Sequence, residues 1–144
     1  MPSNIHPLLV HFPIALLLTY VALDWAGRIW KGKPFTEAAW YTLLLGLAGT
    51  LVTVLTGLVA ARGVPADSPA LATLNVHKFI GLATFVLFGI QAVCYARNRG
   101  KYTPGKQVLH TVLQLAGVAL IVLTGYFGGE LVYTFGVGVS ALFP

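Results

Sequence analysis

Four long apolar stretches, at about residues 7–29, 36–61, 75–97 and 105–127, alternate with short polar segments along this chain. Each reaches the roughly 20 residues that a helix rising about 1.5 Å per residue needs to cross a hydrocarbon core. Within such a layer each backbone N–H and C=O must be paired inside its own segment, so the pattern predicts helices. Short connections make consecutive helices antiparallel neighbours. The expected fold is an all-α integral membrane protein, a single four-transmembrane-helix up-down bundle over residues 1–144. In it the first and third helices lie diagonally across the core, as do the second and fourth. The first stretch is expected to be a retained helix, because no Lys or Arg precedes it and no small-residue cleavage site follows.

Punctuation between the stretches sharpens this outline. The longest connection, 62–74, carries the turn formers Gly63, Pro65, Asp67, Ser68 and Pro69, and Asn75 is the expected cap of the third helix. Gly125, Gly128 and Gly129 are expected to break the fourth helix near the surface. The tail, 128–144, is too short to cross again and is expected to fold back over the mouth of the bundle or lie in the interface.

Composition agrees with lipid as the main solvent: 57% of the residues are hydrophobic and 9% charged, against about a quarter charged in a soluble domain. The formal net charge of +5 needs no nucleic acid to explain it. Of the 9 Lys and Arg residues, Arg28, Lys31 and Lys33 fill the first loop and Arg97, Arg99, Lys101 and Lys106 the third, leaving Arg62 and Lys78 beside the second. Positive loops stay cytoplasmic. Both termini and the second loop are therefore expected on the periplasmic side of a bacterial inner membrane. Trp25, Trp30, Trp40, Tyr41 and Tyr95 would anchor the opposite ends at the interface.

Candidate chemistry rests on the 4 histidines. Ionisable groups within membrane helices are costly and usually face the bundle interior. His11 and His77 fall at similar depth on diagonal helices, where two imidazoles can face each other as axial ligands of a haem. Ala15, Gly81, Gly57 and Ala60 leave room beside them, and Arg62 and Lys78 can pair with propionates. With no Cys-x-x-Cys-His motif, such a haem is b-type. His6 and Glu130 are expected nearby, Glu130 orienting an imidazole. The same histidines can instead hydrogen-bond loops and headgroups. A bare metal ion held by His6, His11, His77 and Glu130 is a further alternative, weakened because residues five apart lie about 140° apart around a helix. The stripe Gly46, Gly49, Thr50, Thr53, Gly57 and Ala60 suits close helix packing or a flat cofactor.

At the other end Asp24, Gln91, His110 and Gln114 form a second expected polar cluster. It reads first as an Asp–His hydrogen bond fixing two helices, and otherwise as a proton relay or a quinone contact. Phosphate-binding Gly-Lys loops, His-Glu-x-x-His and Gly-x-Ser-x-Gly motifs are absent from the sequence, which argues against soluble-substrate enzymology. Lone Cys94 excludes an internal disulfide.

The segments Ile5-His6-Pro7-Leu8-Leu9-Val10-His11-Phe12-Pro13-Ile14-Ala15-Leu16 and Gly128-Gly129-Glu130-Leu131-Val132-Tyr133, then Gly136-Val137-Gly138-Val139, with Asp24, Thr56-Gly57 and His77, resemble the bacterial membrane family called domain of unknown function 2231. The resemblance implies a four-helix membrane domain. Relatives joined to haem- or iron-carrying domains imply a respiratory setting, and the likeness singles out His6, His11, His77 and Glu130. Together these readings lead to an expected b-type haem protein for electron transfer near the periplasmic face, with a periplasmic cytochrome as a candidate partner. The alternative is a non-catalytic accessory subunit of a larger respiratory or photosynthetic complex. Such a subunit would pack through its small-residue faces and aromatic ends, and an oligomer fits either reading.

Overall fold

A computed structural model describes residues 5–31, 33–98 and 100–138. Its elements are α1 (Ile5–Leu9), α2 (His11–Trp30), α3 (Lys33–Ala61), α4 (Leu71–Asn98) and α5 (Pro104–Tyr133). α1 and α2 form one span of 26 residues, and α3, α4 and α5 supply the other three, each long and apolar enough to cross a membrane. The step between α1 and α2 has a covalent cause. Pro13 has no N–H to offer the Leu9 carbonyl, and its ring crowds that carbonyl, so the helix is disturbed one turn earlier, at Val10.

α2 packs along α3, α4 along α5, and α3 against α4, while α2 and α5 approach only sparsely at the backbone. The two diagonals are those expected. The central core joins Leu17, Tyr20 and Val21 of α2, Ala39 and Leu43 of α3, Phe88 and Ala92 of α4 and Ile121 of α5. Glycines let these helices close up: a Cβ on Gly46 would stand 2.7 Å from Leu17 Cδ2, and one on Gly117 2.7 Å from Phe88 Cζ. Thus part of the expected small stripe of α3 serves helix packing.

The outside of the bundle is apolar and part of its inside is polar. Leu51, Leu55, Val86, Ile90, Val112 and Val122 are exposed, whereas Asp24, Thr84, Gln91, His110 and Gln114 are buried. In water that arrangement would be inverted; in lipid buried polar groups find their partners inside the bundle, and exposed leucines cost nothing. Threonine hydroxyls follow the same rule by donating back along their own helices, as Thr50 does to Gly46 O and Thr124 to Leu120 O.

Two element ends differ from expectation. α4 starts at Leu71 instead of at a cap on Asn75, because Ser68 turns the chain earlier: its Oγ accepts from Ala70 N and its carbonyl from Leu71 N. α5 runs through Gly125, Gly128 and Gly129 to Tyr133 without a break. Glycine permits a helix end but does not compel one. Reversal comes later, at Gly136 with φ 65°, where Val137 N donates to Leu131 O. The returning chain packs Phe135 and Val137 on Ala70, Leu74 and Leu131, covering the second connection. The tail beyond Gly138 lies outside the described residues.

Candidate functional site

The end of the bundle that carries α1, the second connection and the returning tail forms a partly open cavity of about 1030 Å³. Its walls come from every helix and are mostly apolar; His6, His11, His77 and Lys78 are the cationic or imidazole side chains on it, and the described lining contains no carboxylate.

His6 and His77 meet across this space. Their ring centroids are 6.2 Å apart and the ring planes 84° from parallel. Each ring is seated by a glycine on a neighbouring helix. A Cβ on Gly57 would fall 2.8 Å from His6 Cε1, and one on Gly128 3.1 Å from His77 Cε1. The Thr56-Gly57 and Gly128-Gly129 signatures therefore have a local purpose, since a larger residue would push the imidazole away.

Hydrogen bonds settle which nitrogen carries the proton. His77 Nδ1 lies 3.1 Å from Thr124 O, and a carbonyl can only accept, so Nδ1 is the protonated nitrogen. His6 Nδ1 lies 3.4 Å from Thr56 Oγ1, whose own hydrogen is directed to Val52 O or Thr53 O, so Nδ1 donates there too. On both rings Nε2 keeps an uncommitted lone pair among the described residues. Metal-binding imidazoles are commonly prepared in this way, with the second nitrogen donating to a backbone or side-chain oxygen.

The remaining expected residues are spread around this pair. Gly81 lines the cavity, with ordinary van der Waals clearance to Thr124. Lys78 is half-buried on the wall. His11 is exposed at the edge of the cavity and has no ring partner among the described residues. His6, rather than His11, is the ring that stands opposite His77. Arg62 is exposed and Glu130 half-buried, and neither lines the cavity. Among the described residues no three of His, Cys, Asp and Glu converge on a point where they could share a metal ion. The His6, His11, His77 and Glu130 set expected for a bare ion is accordingly not assembled.

A second polar cluster occupies the opposite end. Asp24 pairs with Arg28 one turn on and accepts from Gln114 Nε2 at 2.9 Å. Arg28 also donates to Thr111 Oγ1 at 2.7 Å and to Gln114 Oε1 at 3.0 Å. Gln107, with its amide oxygen turned inward, accepts from Arg28 Nε at 2.7 Å. Trp25 Nε1 donates to Gln114 Oε1 at 2.8 Å. His110 Nε2 is 3.8 Å from Asp24 Oδ2 and 3.1 Å from Tyr20 Oη. The four residues expected here, Asp24, Gln91, His110 and Gln114, do come together. Sequence reasoning missed Arg28, Tyr20 and Tyr102; spacing of four from Asp24 was the available signal for Arg28.

Residues 2–141 match the model of the family described as predicted membrane protein, DUF2231. The chain belongs to that family. No curated protein and no solved structure matches the chain.

Proposed function

We propose that this membrane protein holds a b-type haem in the cavity between His6 and His77 and uses it as a one-electron carrier. The observation that carries the reading is the spacing of the two rings. Two metal–imidazole bonds of about 2.0–2.1 Å, one to each ring, would fit between imidazoles spaced in this way. The separation here is 6.2 Å. Both free lone pairs are on Nε2, and the cavity volume of about 1030 Å³ is at the upper end of the roughly 300–1,000 Å³ usual for small-molecule and cofactor pockets. Its mostly apolar lining, with Lys78 and no carboxylate among the described wall residues, suits a flat apolar ring with anionic side groups.

In this reading His6 and His77 would hold the haem iron, Thr56 and Thr124 orient the two rings, and Gly57, Gly81 and Gly128 leave space. Lys78 would pair with a propionate, and His11 stands at the rim. Bound iron would supply a ferrous–ferric couple; the protein supplies two fixed imidazoles and a wall that keeps water away. The distribution of Lys and Arg supports reading this end as the periplasmic side of a bacterial inner membrane, where a periplasmic cytochrome could exchange electrons with it.

A reduced-minus-oxidised spectrum of the purified protein from haem-replete cells tests the proposal. A b-type signal abolished by His6→Ala and by His77→Ala, but retained in His11→Ala, is the expected result. A folded, colourless wild type would overturn it and leave the accessory-subunit reading. Loss in His11→Ala with retention in His6→Ala would transfer the axial role to His11.

A further inference from the structure

The cluster around His110 contains an unusual leftover. His110 is 2% exposed, and its Nδ1 is, among the described residues, one of two fully buried side-chain polar atoms without a partner, the other being Tyr102 Oη. The neighbouring hydrogen bonds decide what that nitrogen is. Gln91 Nε2 donates to Leu113 O, which turns Gln91 Oε1 toward Tyr20. Oε1 can only accept, so the single hydrogen of Tyr20 goes to Gln91 at 3.2 Å. Tyr20 Oη, 3.1 Å from His110 Nε2, must then accept from it. His110 is therefore protonated on Nε2 and carries its lone pair on Nδ1, the tautomer opposite to that of His6 and His77. A buried acceptor with no donor is the arrangement that folded proteins usually avoid.

We propose that His110 Nδ1 is a proton-accepting site inside the membrane domain, entered from the end that carries the first and third connections. The species must be small, because the atom is sealed. Tyr102 covers it, its ring stacked on His110 at 4.7 Å and 21°. Parallel stacking keeps the Tyr102 hydroxyl out of the imidazole plane, so it cannot serve as the missing donor itself. A proton arriving from water at the third connection binds Nδ1 and forms an imidazolium; Nε2–H continues to donate to Tyr20, and no other bond is made or broken.

The charged and titratable neighbours are accounted for on each packed element. α2 presents Tyr20, Asp24 and Arg28. α4 brings Cys94 and Tyr95 near Tyr102, and α3 brings Glu37 to the neighbourhood of Tyr95. Burial opposes the added charge most; Asp24, the carboxylate nearest to the imidazole, favours it, and Arg28 opposes it. None of this depends on a cofactor at the other end of the bundle.

Histidine-selective nitrogen NMR on the full chain in nanodiscs tests the site, with His110 assigned by the signal missing in His110→Gln. The expected result is an Nε2–H tautomer near about pH 8, replaced by imidazolium on acidification before the methyl spectrum reports unfolding. An Nδ1–H tautomer, or a ring that stays neutral until the fold is lost, overturns the proposal. Tyr102→Ala should speed exchange of the His110 ring proton with deuterated water at least about tenfold, while Tyr102→Phe, which keeps the stack, should not. Equal exchange in all three proteins would overturn entry past Tyr102. Wild-type spectra carry the tautomer test whatever the variants do.

Discussion

The two ends of this bundle treat buried polar groups in opposite ways. Around Asp24, nearly every donor and acceptor is used: Arg28, Gln114, Trp25, Gln91 and Tyr20 bind one another across α2, α4 and α5, and they bridge two helices whose backbones stay apart. Around His77, the helices stand off, glycine replaces side chain, and two imidazole lone pairs are left facing a cavity of about 1030 Å³. Buried Leu17, Phe88 and Ile121 separate the two regions. In lipid a polar group has no solvent to fall back on, so it is either consumed by a network or retained for something that binds. The end around Asp24, saturated except at His110 Nδ1 and Tyr102 Oη, holds the fold together. The unsaturated end is where a ligand would act.

That division can be broken by mutation, starting with the largest expected effect. Asp24→Ala leaves Arg28 and Gln114 without their carboxylate and should destabilise the protein by about 3 kcal/mol, read from reversible unfolding in mixed micelles. His77→Ala should cost about 1 kcal/mol or less, and equal losses in the two variants would end the distinction. Next, Gly117→Val forces a side chain into the Phe88 ring between the two regions and should cost about 1–3 kcal/mol by overpacking. Gly57→Val makes the same kind of clash with His6, but beside a cavity, so the ring should move into open space. Stability should change by about 1 kcal/mol or less, while the haem signal proposed above is lost from the spectrum. Smaller still, Gly125→Ala meets nothing within 4 Å and should stabilise α5 by about 0.5–1 kcal/mol in the same unfolding assay.

The smallest effect concerns Tyr102, in the connection outside the spans. Burial, and then the Asp24 carboxylate, push its hydroxyl well above the ordinary tyrosine range. The folded state therefore retains a proton that the unfolded chain releases above about pH 10. The stabilisation is complete below that value and declines as pH rises through it. Tyr102→Phe should flatten this part of the stability–pH profile relative to wild type.

Much of this could be read from residue order alone. Apolar length located the four spans, and depth along the helices placed Asp24, Gln91, His110 and Gln114 at one end and His6 and His77 at the other. Depth was insufficient to choose between His6 and His11 as the ring opposite His77. Pro13 disturbs the helix between them, and a choice between faces five residues apart depends on how that disturbed turn is directed. Glycine was legible as permission but not as use: Gly128 reads equally well as a helix end or as a seat for an imidazole, and only the neighbouring helix distinguishes them.

The sequence by itself determined the solvent, the number of spans and the level at which each polar residue sits, because these follow from transfer energies and a constant rise per residue. Only the tertiary structure decided which rings meet, where the helices part and which nitrogen of each histidine keeps its lone pair. Those properties depend on the relative rotation of packed helices and on single acceptors, Thr124 O, Thr56 Oγ1 and Tyr20 Oη, that lie 47, 50 and 90 residues away along the chain.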